Sequence, residues 1–207
     1  MMERIARWQH RRQPWQSGKW LVVDIETNGL DAKNDAMLSI AWVPLRPPVI
    51  AFDQHGYHVV KSTDGLSQAA VVHQLSSADL AAGAPLAEVM QAFMHAAQGA
   101  LLVAHNARFD LEVLQVAAQK IGQPAWRPHG VYCTLQAERR RLLRSQTELQ
   151  QGALTLAASR ARYGLPPFYG HHALNDALAC GELFLAQAYR FASGHHPTVA
   201  ALLKSGR

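Results

Sequence analysis

Trp20-Leu21-Val22-Val23-Asp24-Ile25-Glu26-Thr27-Asn28-Gly29-Leu30 is the stretch whose reading decides the fold. Trp20 to Ile25 is aromatic, aliphatic and β-branched, the composition of a buried strand. Asp24 and Glu26 interrupt it. Side chains alternate along a strand with a period of two, so both carboxylates point to the same side. No Lys or Arg stands between Trp20 and Leu30. Two like charges at the end of a buried strand repel, and burying either is costly without a positive partner. A hard divalent cation such as Mg²⁺ meets that need, because it takes carboxylate oxygens. Asn28-Gly29 is a turn pair that ends the strand just beyond the acids. A lone D-x-E equally describes a strand end whose acids meet water or a distant arginine, so the rest of the chain has to decide.

Outward from this strand, Ala36 to Val43 reads as a second strand, ended by Pro44, Pro47 and Pro48. Val49 to Phe52 and Tyr57 to Val60 read as a third, interrupted or turned around His55-Gly56. The short connections favour antiparallel neighbours, since a parallel link needs a crossover. From Leu66 the character turns helical. Pro85 to Gln98 carries an apolar stripe at Leu86, Val89, Met90, Phe93 and Ala97, with Gly99 at its end. Ala100 to Ala104 is a short, wholly apolar strand that runs into His105-Asn106-Ala107-Arg108-Phe109-Asp110 and then a helix stopped by Gly122 and Pro124. Val131-Tyr132-Cys133 makes a fifth strand, and a long helix spans Ala173 to Phe191. Antiparallel strands first and strand–helix alternation afterwards imply an α/β domain, a mixed five-stranded sheet flanked by helices.

Composition limits the function classes. With 207 residues, 49% hydrophobic and 17% charged, the chain describes a globular domain with a substantial core. No apolar run approaches the roughly 20 residues of a membrane span, so no membrane is expected as partner. Cys133 and Cys180 are far apart and lack metal-ligand spacing. They are expected as reduced thiols of a cytoplasmic protein, with one disulfide left open. Residues 1–18 hold Arg4, Arg7, Arg11 and Arg12 with Trp8 and Trp15, a basic N-terminal extension before a single domain over 19–207. Packing is the favoured role for its tryptophans. Lys plus Arg outnumber Asp plus Glu by 20 to 15; with four acids gathered in one site, the remaining surface is more basic still. A basic surface around an acidic pocket suits a polyanion delivered to metal ions.

Two further acids stand at telling places. Asp110 falls in the first turn of a helix that follows a buried strand, where the helix dipole favours an anion and where ligands gather in open α/β sheets. Asp176 lies inside the last long helix among Ala173, Ala177 and Cys180. Those small side chains let the helix approach the sheet and carry the carboxylate inward. Gly170-His171-His172 precedes it, a pair equally suited to surface, metal or general-base duty.

Together these segments form a pattern. Asp24-Ile25-Glu26-Thr27-Asn28-Gly29-Leu30, then His105-Asn106-Ala107-Arg108-Phe109-Asp110, then His171-x-Ala173-Leu174-x-Asp176-Ala177 resemble the three motifs of the DEDDh branch of the DEDD 3′–5′ exonucleases, in the manner of the proofreading epsilon subunit of bacterial DNA polymerase III. Val72-His73-Gln74-Leu75-Ser76 is similar to the family's His-Gly-Ile-Thr segment, with Gln74 in place of Gly. The resemblance covers Lys19 to Phe191. It implies a ribonuclease-H-like fold and two Mg²⁺ or Mn²⁺ ions held by Asp24, Glu26, Asp110 and Asp176. His171 would then be the general base, and Thr27, Leu30, His105, Asn106 and Phe109 would line the pocket for the 3′-terminal nucleotide. Cys133-Thr134 stands where many relatives have Asp-Thr, outside the ligand set. No long C-terminal extension follows, which favours a nuclease acting without a polymerase partner.

The implied chemistry is physically coherent. Two ions about 3.5–4 Å apart clamp the attacking and leaving oxygens of a phosphoryl displacement, and a neutral histidine takes a proton from water. The expectation is a metal-dependent 3′–5′ exonuclease acting on single-stranded DNA or frayed 3′ ends and releasing nucleoside 5′-monophosphates. An RNA-directed exoribonuclease and a non-catalytic nucleic-acid-binding module are the alternatives. Arg139, Arg140, Arg141 and Arg144, followed by Arg160 and Arg162, mark either a solvated basic face or a track for phosphates.

Overall fold

The computed structural model describes residues 11–62, 72–124, 126–145 and 148–207. The basic arm before residue 11, with Arg4, Arg7 and Trp8, and the segment around Leu66 lie outside the described residues. The apolar opening run forms β1 (Trp20–Thr27). It pairs antiparallel with β2 (Met37–Arg46) from Trp20 opposite Leu45 to Thr27 opposite Met37. On its other edge β1 runs parallel to β5 (Leu101–Ala104), and β5 in turn parallel to β6 (Gly130–Cys133). The sheet is therefore mixed and, as expected, flanked by helices.

Among the described residues it holds six strands rather than five. The expected third strand is divided into β3 (Val49–Ile50) and β4 (Gly56–Val59), both paired antiparallel with β2. Between them Phe52–Gln54 leaves the ladder as a 3₁₀ turn. The His55 ring closes that turn, stacked 4.5 Å from Phe52 with Nδ1 2.7 Å from the Phe52 carbonyl oxygen. A second difference concerns Pro44, expected to end β2 and in fact inside it. In a strand, a residue's N–H and C=O point to the same side. The Pro44 carbonyl accepts from Ala51 N–H, so its missing N–H faces outward, away from β1, and no β1–β2 bond is lost.

The two faces of β1 bury different helices. Leu21, Val23 and Ile25 meet α2 (Leu86–Ala96) and α3 (Ala107–Lys120) through Val89, Met90, Phe93, Val113 and Leu114. Trp20 and Val22 face α6 (Ala173–Phe191) through Ala177, Cys180 and Phe184. The helices α1 (Ser77–Ala82), α4 (Thr134–Leu142), α5 (Leu156–Ala161) and α7 (Val199–Ser205) complete the described chain. Trp15 is fully buried, edge-on to Phe184 and Tyr189 at 6.1 and 5.1 Å. Its carbonyl accepts from Trp20 Nε1 at 2.8 Å. Cys133 and Cys180 are both buried and free. No helix among the described residues is long and apolar enough to cross a membrane.

Candidate active site

The period of two places Asp24 and Glu26 on the face of β1 that carries Trp20 and Val22, the face covered by α6. Whether Asp176 can join them depends on how closely that helix sits. Ala173, Ala177 and Cys180 are all fully buried at its contact line, and at Gly181 a Cβ would already lie 3.2 Å from the Val22 side chain. Nothing larger fits between helix and sheet. The first turn of α6 is thereby brought over the end of β1, and ligand atoms of Asp24, Glu26 and Asp176 all fall within 4.8 Å of one another. Asp110 arrives from the other layer, in the first turn of α3 just beyond β5, and is 6% exposed.

These acids are under electrostatic stress. Burial holds Asp24 well above the usual carboxylate range, and the charges of Asp110, Asp176 and Glu26 add to it. Asp110 is pushed up to about 8, by burial and then by Glu26, against the stabilising effect of its own backbone N–H. Burial and Glu26 push Asp176 up to about 6. Backbone N–H groups at the start of α6 resist this; that of His172 lies 3.2 Å from Asp176 Oδ2. Among the described residues no Lys or Arg pairs with any of the four.

One histidine does reach them, and the sequence reading did not assign it to the site. His73 Nδ1 lies 2.6 Å from Glu26 Oε2. The contact with Glu26 holds the imidazole above its ordinary pKa, outweighing partial burial. The His73 and His171 ring centroids are 6.4 Å apart, so two histidines border the acids. The available signal was the position of His73 in the segment Val72 to Ser76. Its neighbour Gln74 has φ +59°, the left-handed region that favours glycine, which explains physically why Gly suits that position. Gln74 Nε2 in return donates to the Gly170 carbonyl at 3.2 Å, tying this segment to the loop that bears His171.

The two adjacent histidines have different surroundings. His171 is exposed and has φ +65°. His172 caps α6, and its ring stacks on Tyr57 at 4.7 Å. The residues expected to line a nucleotide pocket also divide. Leu30 is 95% exposed beside the acids' strand end, whereas Thr27 is buried and donates its hydroxyl to the Gly29 carbonyl at 2.6 Å. His105 has both ring nitrogens engaged, Nε2 at 2.9 Å from the Leu154 carbonyl and Nδ1 at 2.8 Å from Thr134 Oγ1. A carbonyl only accepts, so Nε2 carries the proton, and burial lowers the ring's pKa. Asn106 is exposed in the left-handed conformation before α3, and Phe109 is half-buried against the core. Arg160, read as part of a basic track, is instead 2% exposed. It donates to the Ala179 and Pro166 carbonyls and pairs with Glu182 at 2.6 Å, so it fastens the loop ahead of His171.

A mixed sheet with four acids gathered at its strand ends, two of them on one strand, defines the architecture of a DEDD-type nuclease domain. The chain belongs to the exonuclease family, whose model matches residues 21–184. It is similar to the epsilon subunit of DNA polymerase III from Treponema pallidum, 29% identical over 87% of this chain and 85% of that one. It is 28% identical to ribonuclease T from Haemophilus ducreyi, over 82% of this chain and 85% of that one. A PolC-type DNA polymerase III from Thermotoga petrophila is 27% identical over 83% of this chain, and the chain spans only 12% of that polymerase's length. Among solved structures, exonuclease X in complex with 5′-overhanging duplex DNA superposes with TM-score 0.66 at 22% identity, covering 91% of this chain and 99% of the other.

Proposed function

We propose that the chain hydrolyses phosphodiester bonds at the 3′ end of single-stranded DNA or of a frayed duplex, releasing nucleoside 5′-monophosphates. Asp24, Glu26, Asp110 and Asp176 would hold two divalent ions, Mg²⁺ or Mn²⁺. One observation carries this reading: three carboxylates within 4.8 Å of one another, with a fourth close enough to raise Asp24 and no Lys or Arg partner among the described residues. Such a set is incomplete without cations, and its all-oxygen chemistry fits hard ones. When bound, the ions would supply electrostatic stabilisation to the attacking and leaving oxygens.

The chain's own groups supply the rest. His171, exposed on its loop, is the general base that takes the proton from the attacking water. His172, stacked on Tyr57, holds that loop and orients Asp176 through its backbone N–H. Leu30 and Tyr169, 95% and 88% exposed, offer apolar surfaces on which unpaired bases can lie. They favour a single-stranded end over an intact duplex. The likeness to ribonuclease T supports an RNA 3′ end as the second reading, which turns on how the site meets a 2′-hydroxyl.

The test is cleavage of matched, 5′-labelled DNA and RNA oligonucleotides with Mg²⁺, with Mn²⁺ and with EDTA. Stepwise shortening of the DNA from its 3′ end, abolished by EDTA, is expected. Faster shortening of the RNA would replace the DNA reading with the RNA one. Binding without cleavage under every metal condition would make the chain a non-catalytic module.

A further inference from the structure

A second basic site lies at the far end of α6 from the carboxylates. Arg190 stands 14 residues after Asp176 on that helix, roughly 21 Å away at 1.5 Å per residue. There a cavity of about 360 Å³ opens between α4, α6 and α7. Four arginines line it: Arg140 and Arg141 from α4, Arg144 just beyond that helix, and Arg190. Its remaining wall is largely aromatic, with Tyr132, Tyr163 and Phe191. The volume is at the small end of ligand pockets.

Arg140, Arg141 and Arg190 are held in place before any ligand arrives. Arg141 forks onto the buried Glu138, with Nη2 2.7 Å and Nε 3.0 Å from its two oxygens. Arg162 and the Tyr163 hydroxyl share the same carboxylate at 3.0 and 3.2 Å. Arg141 and Arg190 both lie over the Tyr163 ring, 5.7 and 5.9 Å from its centroid. Arg140 Nη1 donates to the Lys204 carbonyl at 2.7 Å. Glu138 therefore neutralises at most one of the two guanidinium groups that contact it. Among the described residues no carboxylate lies within ion-pair distance of Arg140, Arg144 or Arg190. Guanidinium groups gathered at one cavity repel unless an anion joins them, and their planar forks match phosphate oxygens. The aromatic wall gives a flat ring a surface to lie against.

The geometry points to a nucleotide-binding pocket in which Arg140, Arg144 and Arg190 take a phosphate and Tyr163 and Phe191 take the base or sugar. The phosphate comes either from a free mononucleotide or from a strand whose other end lies elsewhere on the protein. It is a different phosphate from any at the carboxylates, and the assignment does not depend on the exonuclease reading.

The experiment is isothermal titration of the full chain in EDTA at low salt, so that the carboxylates repel anions. The probes are adenosine 5′-monophosphate, adenosine and a twelve-nucleotide oligothymidylate. The wild-type chain should bind the monophosphate or the oligonucleotide and ignore adenosine. Arg144→Gln combined with Arg190→Gln should weaken that binding about tenfold or more, the scale of a lost charge-assisted hydrogen bond. Asp24→Asn should leave it within about twofold. Thermal melting checks that the double variant is folded, and Arg144→Glu alone, at an exposed position, serves if it is not. A monophosphate effect identifies the free nucleotide. An effect on the oligonucleotide alone, with a salt slope shallower by about 0.7 per phosphate lost, identifies the strand. No binding of either probe, or binding that the arginine variants leave unchanged, overturns the assignment.

Discussion

Replacing Asp110 with Asn should stabilise the metal-free protein at neutral and alkaline pH and change little in acid. Asp110 is 6% exposed, and its carboxyl is pushed up to about 8 by burial and by Glu26. In the unfolded chain the same group titrates near 3.9. Between those values the folded protein binds more protons than the unfolded one, so stability falls as pH rises from about 4 to about 8. Each unit is worth about 1.4 kcal/mol, and a rise of roughly four units bounds the effect at about 5–6 kcal/mol. Asp24 shares the titration, and the remaining acids still repel one another after the substitution, so about 2 kcal/mol is the gain expected of Asn alone. For a domain of this size that is a rise of about 4–8 °C in Tm. The assay is thermal melting of both proteins in EDTA from about pH 4.5 to 8.5, followed by Mg²⁺ titration at the upper end. The gain should grow with pH, and added Mg²⁺ should stabilise wild type more than Asp110→Asn. A variant no more stable than wild type at about pH 8, or a gain independent of pH, would refute the electrostatic account of this site.

His171→Ala should lose about 10²–10⁴-fold in single-turnover cleavage with 3′-end binding kept. His172→Ala should lose less than about tenfold in rate while losing about 0.5–1.5 kcal/mol of stability with the Tyr57 stack; the reverse ranking would move the general base by one residue. Ala177→Leu should cost about 1–3 kcal/mol by overpacking and reduce cleavage further by lifting Asp176 away from β1, read by denaturant unfolding beside the rate; unchanged cleavage would show that the close helix approach does not set the site. Gln74→Gly exchanges the strain at φ +59° for the lost bond to Gly170, so unfolding free energy should change by less than about 1 kcal/mol, and a larger loss would make that bond the principal fastener of the two loops.

The residues themselves determined a good deal. The alternation through Trp20 to Glu26 put two carboxylates on one face, and the run of small residues at Ala173, Ala177 and Cys180 announced a helix that could press against it. Both inferences rest on local periodicity, which a sequence carries in full. The break in the third strand near His55-Gly56 was legible, but its outcome as two separate strands was not, because that depends on His55 folding back over Phe52 and on the length of β2 available as a partner. Nor was the harmlessness of Pro44, which depends on which edge of β2 its missing N–H would face. His73 was seen in its segment but not assigned to the site, because nothing within that segment shows that Glu26 lies 2.6 Å away. Arg160 looked like its exposed neighbours until the fold buried it against α6, and His105 looked available for a nucleotide until Thr134 and Leu154 were seen to occupy both its nitrogens. Periodicity fixes what each segment offers, and only the packing of distant segments decides which offered charges meet a partner, which meet each other, and which stay open to a ligand.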